Sequence, residues 1–211
     1  MSEQKTTPYG TLALFLFWGL LLAAVFYWML PGKGVPPELQ GVLRPAPKSL
    51  QAFELVDQQR RPFDLERLKG KWSLVFFGYT FCPDICPTTL ATIGRVIKQL
   101  QADPQDHSGI QVMFVSVDPQ RDTPEVMEKY LKYFNETFQG VTGAQPDIDS
   151  LTRQFGAGYI HEPETAAGQY LVSHTSSIFL VDPRGRLLAA FSPPHDPDTI
   201  AGQLRQIRSL Y

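Results

Sequence analysis

Positive charge is not in excess in this chain. Lys and Arg number 19 against 21 Asp and Glu, a formal net charge of −2, which leaves no basic surface of the kind that holds nucleic acid. No internal repeat is visible, and no low-complexity run occurs beyond one proline-rich stretch. Cysteine is sparse, with only Cys82 and Cys86 present. Two thiolates alone make an incomplete metal site, so a bound ion would need a third donor from elsewhere in the chain. Aromatic residues are not scarce. Fourteen Phe exclude a disordered chain, and 43% hydrophobic with 19% charged residues is the composition of an ordinary globular protein.

Charge is absent altogether from Thr11 to Leu30 (TLALFLFWGLLLAAVFYWML). Twenty helical residues reach about 30 Å, the depth of a bilayer core. Trp18, Tyr27 and Trp28 lie within it, the last two near one end, where aromatic rings favour the membrane interface. A cleaved signal peptide would have a shorter apolar core and a small-x-small site after it; Pro31-Gly32-Lys33-Gly34 offers none. The segment therefore reads as one uncleaved span, preceded by a tail over residues 1–10. Lys5 before the span against Lys33, Arg44 and Lys48 after it leaves orientation undecided by charge. No Arg-rich amphipathic leader for mitochondria is present.

Residues 31–47 carry five prolines and three glycines and predict a stiff, extended linker. One domain is expected over 48–211, long enough for a real core. Phe53–Val56 and Pro62–Leu65 flank polar residues and predict a small hairpin. Trp72–Phe77 and Gln111–Val117 are apolar runs typical of strands buried on both faces. Leu90, Ile93, Ile97 and Leu100 predict a helix from near Pro87. Asp122-Thr123-Pro124-Glu125 opens another, with Asp122 as its cap. A short helix is expected over Asp147–Phe155, strands over Ser177–Val181 and Leu187–Phe191, and a last helix from Pro197. The order βββαβαα-ββ-α implies an α/β fold, a mixed sheet with helices on both faces.

The cysteines sit in Gly78-Tyr79-Thr80-Phe81-Cys82-Pro83-Asp84-Ile85-Cys86-Pro87, a loop at the carboxyl end of a buried strand, where open α/β sheets bind ligands. The start of the following helix supplies free N–H groups and positive potential, which favour thiolate. Sulfurs four positions apart can meet on one helical turn, to share a metal or close a disulfide. His107 and His161 read as loop residues, and His195 lies at the entry to the last helix. His174 precedes a strand that thioredoxin-type sheets carry past the cysteine loop, although the cis-proline of that place is missing. Residue physics leaves the choice among the four open. Asp118 ends a buried strand on the cysteines' edge, where it can shape a turn or influence the site.

The cysteine motif, then Val117-Asp118-Pro119-Gln120-Arg121-Asp122-Thr123-Pro124, then His174 before a strand, resemble in order and spacing the Sco/SenC family of copper-binding assembly factors for cytochrome c oxidase. The likeness runs from about Lys48 to the C-terminus. It implies a thioredoxin-like fold, a membrane anchor ahead of the domain, and Cys82, Cys86 and His174 as copper ligands. Ser173 is a departure, because the family often has an acid just before the histidine; this bears on how the imidazole is tuned.

Two thiolates and an imidazole form a soft set suited to copper, Cu(I) or Cu(II). Zinc is the rival, with water as a fourth ligand. A binuclear copper centre would need further His and Met ligands close behind the cysteines, and Thr88-Thr89-Leu90-Ala91 has none. The expectation is a copper chaperone serving the oxidase subunit that houses such a centre, and exchanging copper with other carriers. It would sit in a bacterial cytoplasmic membrane with its domain on the periplasmic or extracytoplasmic side. The alternative is a thiol–disulfide oxidoreductase in which Cys82 attacks and Cys86 resolves. A thiol peroxidase ranks low, since Thr80 stands at the wrong offset from Cys82.

Overall fold

A computed structural model describes residues 8–29, 35–103, 109–165 and 169–211, and within the first helix the side chains of residues 12–23 and 25–26. The N-terminal tail in part, the first residues of the expected linker, and His107 lie outside the described residues. The chain divides into two units, Met1–Glu38 and Leu39–Tyr211.

In the first unit, α1 runs Pro8–Met29 with no acidic residue in its first turn and no basic residue in its last. Its apolar residues surround the axis without a stripe, and the described ones, such as Leu14, Phe15, Phe17 and Leu20, are exposed. Among the described residues no helix is long and apolar enough to cross a membrane. The side chains of Tyr27 and Trp28, which the sequence reading used, lie outside them.

The second unit is built on an eight-stranded mixed sheet. Its strands are β1 (Leu43–Ser49), β2 (Glu54–Asp57), β3 (Pro62–Asp64), β4 (Trp72–Gly78), β5 (Ile110–Ser116), β6 (Gln139–Thr142), β9 (Ile178–Val181) and β10 (Arg186–Phe191), with β7 (Tyr159–His161) and β8 (Val172–His174) forming a separate pair. The spatial order is β1-β10-β9-β4-β5-β6-β2-β3. Strands β4, β5 and β6 are parallel and the others join antiparallel.

Strand β4 lies at the centre because its WSLVFFG run can be buried on both faces. Phe77 packs edge-on against Phe155 of α4 (Gln145–Phe155). Phe76, one residue earlier, turns to the other face beside Phe114 and His174. That second face is covered by α2 (Ile85–Gln101) and α3 (Pro124–Phe134). Leu90, Ile93, Ile97 and Leu100 of α2 are buried, as are Ile200, Leu204 and Ile207 of α5 (Pro197–Leu210), the helix that packs on α2. Helices on both faces of a mixed sheet meet the expected α/β class.

Besides the unexpected β7–β8 pair, three features depart from the sequence reading. Residues 43–47, placed in the linker, belong with Lys48 and Ser49 to edge strand β1, paired to β10. Proline is tolerated on an edge strand, whose outer N–H groups need no partner, and the register shifts between Leu43 and Lys48, across Pro45 and Pro47. Short strand β6 was not expected; Gly140 within it lets α3 approach, since a Cβ there would lie 2.9 Å from Leu131 Cδ1 and 3.1 Å from Met127 Cβ. The third is the α3 cap, which is Thr123, accepting from the Val126 N–H, and not Asp122.

Candidate metal centre

The chain leaves β4 at Gly78, turns through Tyr79–Asp84 and enters α2 at Ile85. The turn closes with the Cys82 N–H donating to the Tyr79 carbonyl at 3.3 Å. Asp84 occupies the N-cap position of α2 without a side-chain cap bond. The Cys82 sulfur instead accepts a helix N–H, that of Cys86, at 3.4 Å. Cys86 is fully buried and Cys82 partly exposed. Gly78 is what lets the Cys86 sulfur lie against the strand, since a Cβ there would be 2.8 Å from it.

His174 ends β8, and its Nε2 lies 3.3 Å from the Cys86 sulfur. Its Nδ1 lies 3.1 Å from the Thr175 carbonyl, which can only accept, so Nδ1 carries the proton and Nε2 keeps its lone pair. The ring meets Phe76 and Tyr79 edge-on. The ligand atoms of Cys82, Cys86 and His174 all lie within 4.8 Å of one another. Cys82 and His174 line a cleft of about 590 Å³ whose walls include Tyr79, Ile85, Leu171 and Val172, while Cys86 is buried beside it. Among the described residues no other His, Cys, Asp or Glu joins the group.

The two thiols are unequal. A hydrogen bond from Cys86 is the largest of the influences that hold Cys82 far below a normal thiol, against the cost of burial; the N–H groups of Cys86 and Asp84 add to it. The same shared proton, with burial, pushes Cys86 far up. With no metal bound, Cys82 is the thiolate and Cys86 the proton donor.

Of the other histidines, His161 is exposed between the rings of Tyr159 and Tyr170. His195 is half-buried, with Nε2 3.1 Å from the Phe191 carbonyl, and burial lowers its pKa. Neither reaches the cysteines.

The sequence reading named Asp118, Asp122 and Ser173 without their partners. Asp122 is fully buried and accepts hydrogen bonds from the Thr80 N–H at 3.0 Å, the Thr80 hydroxyl at 2.5 Å and the Ser116 hydroxyl at 2.6 Å. It thus ties the cysteine loop to the end of β5. Asp118, also buried, pairs with the Arg121 Nε at 2.5 Å and accepts from the Tyr170 hydroxyl at 2.8 Å. The i,i+3 spacing of Asp118 and Arg121 is a local signal for that pair; nothing in the sequence points to Tyr170. Ser173, where an acid was expected, donates to Glu162 Oε1 at 2.6 Å, so a carboxylate from beyond β7 reaches the strand of His174.

Comparison with known proteins places this geometry in a family. The family model described as SCO1/SenC matches residues 43–209. A Stutzerimonas stutzeri protein, provisionally named as copper-binding, is 39% identical over 166 residues, covering 79% of this chain and 80% of its own length. Bradyrhizobium japonicum ScoI, solved with copper bound, is 34% identical with a TM-score of 0.66, over 75% of this chain and 98% of its own. Yeast Sco1 with copper bound is 30% identical with a TM-score of 0.72, over 78% of this chain and 91% of its own. The chain belongs to the SCO1/SenC family, and its second unit has the thioredoxin-like fold of these structures.

Proposed function

We propose that this chain is a copper carrier that serves the assembly of cytochrome c oxidase. The observation that carries the reading is the convergence of two sulfurs and one bare imidazole nitrogen within 4.8 Å, with Cys82 and His174 lining an open cleft. The donor set fits copper: two soft thiolates and an imidazole suit Cu(I) and Cu(II). A structural zinc would call for a fourth protein ligand. Cys82 meets the ion already ionised, and Cys86 gives up its proton as the ion enters. The Thr175 carbonyl holds the His174 tautomer that presents Nε2. Three ligands at an open cleft leave room for an acceptor's own thiolates to replace them one at a time, which is how copper passes to the oxidase subunit that houses the binuclear centre.

Helix α1 is the membrane anchor in this reading, and the domain faces the extracytoplasmic side of a bacterial membrane. The uncharged sequence run Thr11–Leu30, twenty residues long, supports this reading. Anchoring confines the domain near a membrane-bound acceptor and raises the effective concentration of the pair.

A second reading, thiol–disulfide exchange, is favoured by the unequal thiols. The Cys82 thiolate would attack a target disulfide and form a mixed disulfide. Cys86, once deprotonated, would displace the target's sulfur; the target gains two thiols and the pair becomes a disulfide. One substitution separates the roles. The wild-type chain should bind about one copper per chain, its Cu(II) form coloured by thiolate charge transfer. His174→Ala should lose stable copper and keep its dithiol reactivity. Copper retained by His174→Ala would show that the ligand assignment is wrong.

A further inference from the structure

Arg121 stands between the two segments that carry the ligands. Its guanidinium stacks on the ring of Tyr170 at 3.6 Å from the centroid, and lies 5.5 Å from Tyr79 and 5.2 Å from Phe81 on the cysteine loop. Its Nη1 donates to the Tyr170 carbonyl at 2.9 Å and its Nε to Asp118. Asp118 in turn takes the Tyr170 hydroxyl. Tyr170 lies four residues before His174, and Tyr79 three before Cys82.

We propose that Arg121, locked by Asp118 and Tyr170, is a positioning residue that sets the span between the cysteine loop and the strand of His174. The inference deepens the copper reading and rests on it. A site whose three donors come from two separate segments has a bite fixed by whatever holds those segments apart. Here the spacer is one planar cation that pairs edge-on with a carboxylate, donates to a carbonyl and stacks on a ring at once. Lysine can keep the charge beside Asp118, but its ammonium has no plane to stack and no fork to reach two acceptors. The motif Asp118-Pro119-Gln120-Arg121-Asp122 then works as a double fastening: Asp122 holds the loop before Cys82, and Arg121 holds the approach to His174.

The test is Arg121→Lys and Tyr170→Leu in the purified full chain, with Gly140→Ala as a control that strains α3 away from the site. A general loss of stability that leaves the fold intact does not change metal affinity or an absorption band. In chelator competition Arg121→Lys and Tyr170→Leu should bind Cu(I) about tenfold or more weakly, in the range of lost outer partners of metal ligands. Their thiolate-to-Cu(II) band should shift, while Gly140→Ala keeps wild-type affinity and band. In the metal-free chain the His174 ring resonances should move in Arg121→Lys and stay in Gly140→Ala. If Arg121→Lys does not fold, Tyr170→Leu decides by the same three readouts. Wild-type affinity, band and His174 resonances in the Arg121 and Tyr170 variants would overturn the proposal, as would an equal loss in Gly140→Ala. A wild-type chain that bound no copper would sink the copper reading instead, and the metal-free resonances would still judge the brace.

Discussion

The carboxylate of Asp122 is wholly buried, and burial raises its pKa even though Ser116 and Thr80 hydrogen-bond to it. Asp122→Ala strands the Thr80 N–H and the Ser116 hydroxyl. Each orphaned buried group costs about 1–3 kcal/mol, so denaturant titration should show a loss of about 3 kcal/mol. An unchanged midpoint would contradict the role. Local sequence cast Asp122 as a cap because capping is read within four residues, while its real donors sit in other strands and loops. The cysteines were legible for the opposite reason: they stand only four positions apart, although Cys82 lies in the turn before α2 and not on a helical turn shared with Cys86. His174 was not legible from residue physics, since 88 residues separate it from Cys86; the family likeness singled it out. At this scale pH is also informative. The depressed pKa of Cys82 means that the unfolded chain, with a thiol pKa of about 8.5, binds one more proton than the native state across the window between the two values. Stability of the reduced, metal-free protein therefore rises with pH up to about 8.5 and is lost as pH falls toward the native pKa. Thermal melts over that range should show the slope, and Cys82→Ser should flatten it. For the same reason an alkylating agent at mildly acidic pH should label Cys82 and spare Cys86.

Strand β4 and helix α2 meet at Gly78, and the fit leaves no room. Gly78→Ala would put a methyl 2.8 Å from the Cys86 sulfur and 2.9 Å from Phe114. The first turn of α2 must move, so the variant should bind copper more weakly than wild type while its circular dichroism stays that of the folded chain; wild-type affinity would contradict the packing. The central strands were readable because both faces are buried and the apolar runs are continuous. The same holds for α2, α3 and α5, whose apolar residues recur at helical spacing. Strand β1 was hidden by its prolines, which argue against a central strand but not against an edge. Strand β6 is only Gln-Gly-Val-Thr, too short for period two to show. The β7–β8 pair, three residues each, was invisible for the same reason, yet it carries His174 to the sulfurs.

As a whole the molecule joins an uncharged helix to a folded unit beginning at Leu39. In the proposed role the first holds the protein to a membrane and the second does the chemistry. Membranes from cells expressing the full chain should retain it through an alkaline carbonate wash, and deletion of residues 1–38 should release a soluble, copper-binding domain. A full chain washed free would remove the anchor from the account and leave the metal centre untouched. The sequence marks this division by composition alone, although the folded unit begins several residues before the expected boundary because β1 belongs to the sheet. The proposed function turns on what surrounds the metal. X-ray absorption at the copper edge, on the full chain loaded with one Cu(I), should find two sulfur scatterers and one imidazole nitrogen. A shell of sulfur alone, unchanged in His174→Ala, would contradict it.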